Sequence, residues 1–311
     1  MNQPDLTVRP ISGPAELDLF RRLSYTLDHE LPHDLETANR RPEWMWVAMR
    51  GGELVARAAW WSWANGSDPY EMDFFDIADP ETGLDDAVQL VRTALAALVP
   101  EGARPPTYLR FVPPDWRDDA DTERAVTARM SALEQTGARL QAERLRFEWQ
   151  PGTPLPPPSD RLRFRPVRDT DEILDLMTRV LDGTLDAHSQ DNLARMSARE
   201  TATEHYEGEL ARYSSPRDWW RVATLPDGDP VGFVTPARND YNPIIGYLAV
   251  LPEHRGNGYI DDILAEGTRI HAAQGVPRIR AATDLGNVPM ANAFRRAGYA
   301  NFERAITMAW P

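Results

Sequence analysis

The chain has 311 residues and contains neither cysteine nor lysine. Without cysteine there is no disulfide framework, no thiol nucleophile and no thiolate ligand for zinc. Histidine is sparse, at six residues, and no metal site is expected. Long apolar runs are missing too. None approaches the roughly 18 residues that would cross a bilayer. The opening stretch, MNQPDLTVRP, lacks a basic region followed by an apolar core, so no secretory leader is expected. A cytoplasmic location, away from membranes, is the resulting expectation. Positive charge is in deficit: 34 arginines face 48 acidic residues, a net charge of −14. That excludes general affinity for nucleic acid, which needs a basic face.

What is present is a repeat. A proline-rich stretch, PGTPLPPPSD at 151–160, cannot hold regular structure and reads as an extended spacer between two halves. LTVRPISGPAELDLF opens the first half and LRFRPVRDTDEILDL the second. Arg9-Pro10 matches Arg165-Pro166, and Glu16 matches Glu172, at equal offsets. TGARLQAERLRFEW and AGYANFERAITMAW close the two halves, each with a glycine early and a tryptophan last. A period this long implies duplication of a whole domain rather than a solenoid. The expected boundaries are 1–150, a linker at 151–160, and 161–311.

Each half reads as strand, helices, hairpin, strand, helix, strand, helix, strand. The hairpins turn at Gly51-Gly52 and Asp227-Gly228, and EMDFFDI and TYLRFV are the later strands of the first half. The predicted class is α/β (α+β), with two tandem domains, each a mixed, mostly antiparallel sheet flanked by helices.

One turn stands out: YLAVLPEHRGNGYIDDIL, Tyr247 to Leu264. An apolar strand runs through Arg255-Gly256-Asn257-Gly258 into a helix. Backbone N–H groups at a helix start are unpaired and partly positive, and glycines let an anion approach them. No Gly-Lys-Ser/Thr follows, so this is not a P-loop, and Asp261 stands where a dinucleotide fingerprint has its last glycine. Asp261 and Asp262 could satisfy the helix dipole themselves, or point outward.

The strand, the xxRGxG turn and the helix resemble the acyl-CoA-binding motif of the GNAT superfamily of N-acyltransferases. TDLGNVPMANAFRRAGY is similar to that family's next motif, with Asn287, Phe294 and Gly298-Tyr299 in its places. The resemblance covers the second half. The first half resembles the same fold with its cradle deleted: PETGLDDAV aligns with PEHRGNGYIDDIL but is four residues shorter. The resemblance implies that only the second half takes acetyl-CoA or another acyl-CoA, and that the chain transfers the acyl group to a small-molecule amine. A non-catalytic acyl-CoA-binding or scaffold protein is the alternative. Monomer and homodimer both remain open.

Carried over residue by residue, the resemblance implies that Leu248 and Val250 hold the pantetheine arm by backbone hydrogen bonds. Arg255, Gly256, Asn257, Gly258, Tyr259 and Ile260 take the phosphates, and Asn287 and Phe294 complete the site. Two positions depart from the family. Ile260 stands where glycine or alanine is usual, and Phe294 where a tyrosine often protonates the leaving thiolate. Tyr247 and His188 are the candidate groups for proton transfer with the amine, ahead of Glu253 and His254 on the loop after the motif strand and Asp191 beside His188. Asp284 is a candidate cap for the following helix. The paired Trp219-Trp220 and the Trp60-Trp61-Trp63 group read as core packing.

Overall fold

The computed structural model describes residues 5–63 and 66–311. Two compact units emerge. One holds the chain up to Glu143 together with Arg304–Pro311, and the other holds Arg144–Glu303.

In the first unit the strands are β1 (Leu6–Pro10), β2 (Met45–Arg50), β3 (Glu53–Trp61), β4 (Glu71–Ile77) and β5 (Thr107–Val112). Short helices α1 (Leu17–Phe20) and α2 (Leu31–Thr37) lie between β1 and β2. The longer α3 (Leu84–Leu98) and α4 (Ala120–Glu134) follow β4 and β5. Strands β1 to β4 pair antiparallel in chain order. Then β5 joins β4 in parallel, but only at Glu71↔Thr107 and Met72↔Tyr108. Beyond those pairs the two strands diverge.

The second unit repeats the plan. Strands β7 (Arg163–Pro166), β8 (Arg221–Thr224), β9 (Pro230–Arg238) and β10 (Pro243–Val250) are antiparallel neighbours. Helices α5 (Thr170–Val180), α6 (Ala187–Leu193) and α7 (Ala198–Gly208) lie between β7 and β8. After β10 come α8 (Tyr259–Ala273), β11 (Ile279–Asp284) and α9 (Val288–Arg296). Ile173, Leu174, Met177 and Val180 give α5 one buried stripe, and Asp169 caps its start by accepting from Glu172 N at 2.8 Å. Strand β11 joins β10 in parallel at the single pair Ile244↔Arg280.

The repeated Arg and Glu of the sequence form the same fork twice. Arg9 donates to both oxygens of Glu16 at 2.7 and 2.8 Å, and Arg165 to both of Glu172 at 2.6 and 2.9 Å. These bonds hold each carboxyl down at a pKa of about 2. A bidentate fork fixes the first strand of each repeat to the helix that follows it.

The closing strands lie elsewhere than the linker leads one to expect. Strand β6 (Arg139–Trp149) ends the first repeat, yet its residues 144–149 belong to the second unit and pair antiparallel with β11. Strand β12 (Ala300–Ala309) ends the second repeat, yet residues 304–308 pair antiparallel with β5 in the first unit. The unit boundaries are therefore 143/144 and 303/304, in place of the expected 151–160. Leu145, Phe147 and Trp149 fill the core of the second unit; Ile306, Met308 and Trp310 fill that of the first. Residues 144–149 of β6 alternate polar and apolar, with one face buried, whereas 305–309 of β12 are buried on both faces.

This composition predicts which fragment folds. Residues 161–311 lack the strand that covers one edge of β11, whereas residues 144–303 include it. On heating, the 144–303 fragment is expected to unfold cooperatively by circular dichroism, and the 161–311 fragment to show no cooperative transition. A sharp transition in the 161–311 fragment would contradict the exchange of closing strands.

Candidate functional site

Strand β10 carries a bulge at Gly246, where its register against β9 shifts between Ile245 and Tyr247. A Cβ at Gly246 would lie 2.9 Å from Tyr213 Cε2 and 3.2 Å from Thr235 O. Only glycine fits there without moving its neighbours. The buried Thr235 hydroxyl accepts from Tyr247 N at 2.7 Å and donates to Tyr247 O at 3.1 Å, replacing ladder bonds that the bulge disrupts. The bulge turns β10 away from β11. Between them opens a cavity of about 600 Å³, lined by residues 244–250 of β10, 280–283 of β11, the start of α8, and the 183–186 segment.

The sequence-predicted residues divide on this cavity. Tyr247, Leu248, Val250, Arg255, Gly256, Gly258, Tyr259, Ile260 and Asn287 all line it. Asn257 does not; its side chain turns back to donate to His254 O at 3.1 Å. Gly256 and Gly258 have φ of 82° and 73°, the left-handed region that glycine enters at no steric cost. Among the described residues, the backbone N–H groups of residues 256–260 make no hydrogen bond. They form a run of donors at the start of α8 that fits a phosphate. Ile260 packs its side chain against the core beside this run.

The side chains around the turn hold it in shape. Arg255 donates to Val180 O at 2.8 Å and to Asp182 O at 2.7 Å, satisfying carbonyls at the end of α5. Its guanidinium is thus a strut for the turn. Asp261 pairs with Arg296 and Asp262 with Arg161, so both carboxylates are engaged by arginine. Asn287 caps α9 itself, accepting from Met290 N at 3.3 Å. Asp284 does not cap that helix through its side chain. Its carboxylate takes Arg144 Nε at 2.7 Å and Ala187 N at 2.6 Å.

Phe294 is fully buried and outside the cavity lining. It stacks on Phe147, with ring centroids 5.1 Å apart, and meets Tyr299 edge-on. His188 also lies outside the lining. Burial and the nearby Arg144 push its pKa down. Glu253 is paired with Arg179 on the surface, and Asp191 with Arg195. Trp220 and Trp60 are core residues, and Trp219 packs edge-on against His271.

Sequence reasoning missed a polar group on α7 and the chain after it. His205 stacks on Tyr247 with centroids 5.0 Å apart, and its Nε2 lies 3.2 Å from Glu209 Oε2. Tyr213 donates its hydroxyl to the other oxygen of Glu209. All four residues line the cavity. Burial pushes Glu209 up, but hydrogen bonds from His205 and Tyr213 and the charges of His205 and Arg144 hold its pKa below the usual carboxylate value. Burial and the charge of Asp186 push the Tyr247 phenol up, so it keeps its proton at neutral pH. The i,i+4 spacing of His205 and Glu209 was the available signal, and it looks like any solvated helix pair.

The first unit has the same divergence between β4 and β5, filled by its own side chains. Tyr25 accepts from Phe111 N of β5 at 2.9 Å, and the Arg110 guanidinium lies 3.3 Å over the Tyr25 ring. Arg110 and the fully buried Arg57 both donate to Asp76, at 2.7 and 2.8 Å. At the turn before α3, the Asp79 carboxylate accepts from Glu81 N and from the Thr82 hydroxyl, at 2.9 and 2.6 Å. A carboxylate of the chain thus sits where an outside anion would otherwise be drawn.

Comparison with known proteins agrees with this geometry. A family model described as the acetyltransferase (GNAT) domain matches residues 161–300. The match spans a little under half of the chain. A search of curated proteins gives no match. Among solved structures, a GCN5-related N-acetyltransferase from Sphaerobacter thermophilus aligns over 99% of this chain and 96% of its own, at 18% identity and a TM-score of 0.61. A tandem GNAT protein from the clavulanic acid biosynthesis pathway aligns over 98% of both chains, at 13% identity and a TM-score of 0.51. The likeness of the whole chain is one of fold, and that fold is a tandem GNAT fold.

The burial of Phe294 carries a prediction. Phe294→Tyr would place a hydroxyl among Phe147, Tyr299 and the α8–α9 core with no designed partner. The expected cost is about 1–3 kcal/mol of unfolding free energy in a urea titration. An unchanged midpoint and slope would mean that the ring position reaches a polar partner or the cavity.

Proposed function

We propose that the chain is an acyl-CoA-dependent N-acyltransferase acting on a small-molecule amine, with its site in the second unit alone. The observation that carries this reading is the opening between β10 and β11, which leads to the unpaired N–H groups of residues 256–260. Those donors suit the pyrophosphate, and the exposed edge of β10 around Leu248 and Val250 suits the amide groups of the pantetheine arm. A bound acyl-CoA supplies a thioester carbonyl carbon for the amine to attack. The filled divergence of the first unit supports its having no second site.

In this reading, the residues divide the proton work. The amine nitrogen bonds to the acyl carbon as the carbon–sulfur bond breaks. His205, bridged to Glu209, accepts the proton that the amine sheds. Tyr247 gives its proton to the departing thiolate as it takes back the one collected by the adjacent His205, so that no free buried phenolate forms. A backbone N–H on the cavity side of β10 polarises the acyl oxygen. Tyr247 thus serves as acid rather than base, and His188 has no direct part.

Gly258→Asp tests the reading by placing a carboxylate in the donor run. Calorimetry with CoA is expected to show at least a tenfold loss of affinity, about 1.4 kcal/mol, with the circular dichroism spectrum unchanged. Undiminished affinity would overturn the assignment of the turn. A mass-spectrometric screen of amines with acetyl-CoA separates transfer from binding alone.

A further inference from the structure

Residues of β6 and β11 alternate about the sheet of the second unit. Leu145, Phe147, Ile279 and Ala281 enter the core beside α8 and α9. The opposite face carries Arg144, Arg146 and Glu148 of β6, across from Asp284, Ala282 and Arg280 of β11. The three arginines line the cavity. Two of the three are on β6, a strand of the first repeat.

Their partners differ. Arg144 is spent on Asp186 and Asp284, both at 2.7 Å. Arg146 is paired with Glu303. Arg280 gives only its Nε, to Glu148 at 3.1 Å. Among the described residues its two terminal nitrogens have no hydrogen-bond partner, and the side chain is about a quarter exposed. The guanidinium lies 4.6 Å over the Phe302 ring, which holds its plane. It sits opposite Ile244, at the far end of β10 from Val250 and the phosphate cradle that follows. It is therefore out of place for the pyrophosphate.

Building on the acyl-transfer reading above, we propose that Arg280 is a specificity determinant that recognises a carboxylate on the acceptor, so that the substrate class is an amine bearing a carboxylate, such as an amino acid. A guanidinium with both terminal nitrogens unspent matches the two oxygens of a carboxylate side by side. The His205–Glu209 pair and the Tyr247 hydroxyl line the same cavity and handle the amine end. The neighbouring carboxylates are already bound to arginine, so an incoming carboxylate meets a wall of balanced charge with one set of free donors. A polyamine would find no matching excess of free acid along this strand pair.

The test uses the full chain, acetyl-CoA, and matched acceptors that differ by one carboxylate: tyrosine and tyramine, arginine and agmatine, lysine and cadaverine. The carboxylated member of at least one pair is expected to have a kcat/KM at least about tenfold higher, about 1.4 kcal/mol. Arg280→Gln should bring the two members of that pair within about threefold of each other by raising the acceptor KM, with the KM for acetyl-CoA unchanged. Glu148→Gln, which removes the ion pair but keeps the guanidinium, should retain the preference. Equal or better use of the decarboxylated amines by the native chain, or a preference that survives Arg280→Gln, would overturn the proposal while leaving acyl transfer standing. Turnover of no member of any pair, with acetyl-CoA bound, would count against the acyl-transfer reading and remove this proposal with it.

Discussion

Two parallel strands that part after a single residue pair govern the second unit. Strands β10 and β11 touch at Ile244↔Arg280 and then diverge, so the facing edges of backbone go without a ladder. Buried backbone groups left unpaired are costly, and such an edge is stable only where something else serves it. On the other side of β10, toward β9, the Thr235 hydroxyl holds Tyr247 at the bulge by both accepting and donating. Gly246 lets Tyr213 approach where any side chain would collide. The edge toward β11 lines the cavity, and the free donors at the start of α8 continue it.

The first unit solves the same problem by another route. Its β4 and β5 also part early, after Met72↔Tyr108. There Tyr25 takes the Phe111 N–H, and Asp76 gathers Arg57 and Arg110 into a buried ionic group. A buried group of this kind is not a gain over apolar packing, but removing one member would strand the others at high cost. One divergence therefore lines a cavity, and the other is closed by the chain's own side chains. The first unit also lacks Arg-Gly-Asn-Gly, and Asp79 occupies its turn.

Much of the fold was legible because it is local. Strands Glu71–Ile77 and Thr107–Val112 coincide with the runs EMDFFDI and TYLRFV, and the two hairpins turn at their glycines. The Arg–Glu repeat in the sequence became two equivalent forks. The exchange of closing strands was not legible. The polar–apolar alternation of Arg144 to Trp149, and the apolar run from Ala305 to Ala309 broken only by Thr307, say what is buried but not which neighbouring strand is paired. In the site, the turn at 255–260 could be read directly, because glycine and an open helix start have a fixed chemistry. The burial of Phe294 could not, since its partner Phe147 lies in the other repeat by sequence. His205, Glu209 and Tyr213 were hidden for a different reason. Each is an ordinary polar residue, and only the approach of α7 to Tyr247 brings them together.

Hydrogen exchange measured on the full chain, with and without saturating acetyl-CoA, tests the asymmetry between the two divergent strand pairs most directly. Bound ligand is predicted to slow exchange across residues 244–260 and to leave residues 71–83 and 107–112 unchanged. Protection at the first pair, or none at the second, would contradict the account.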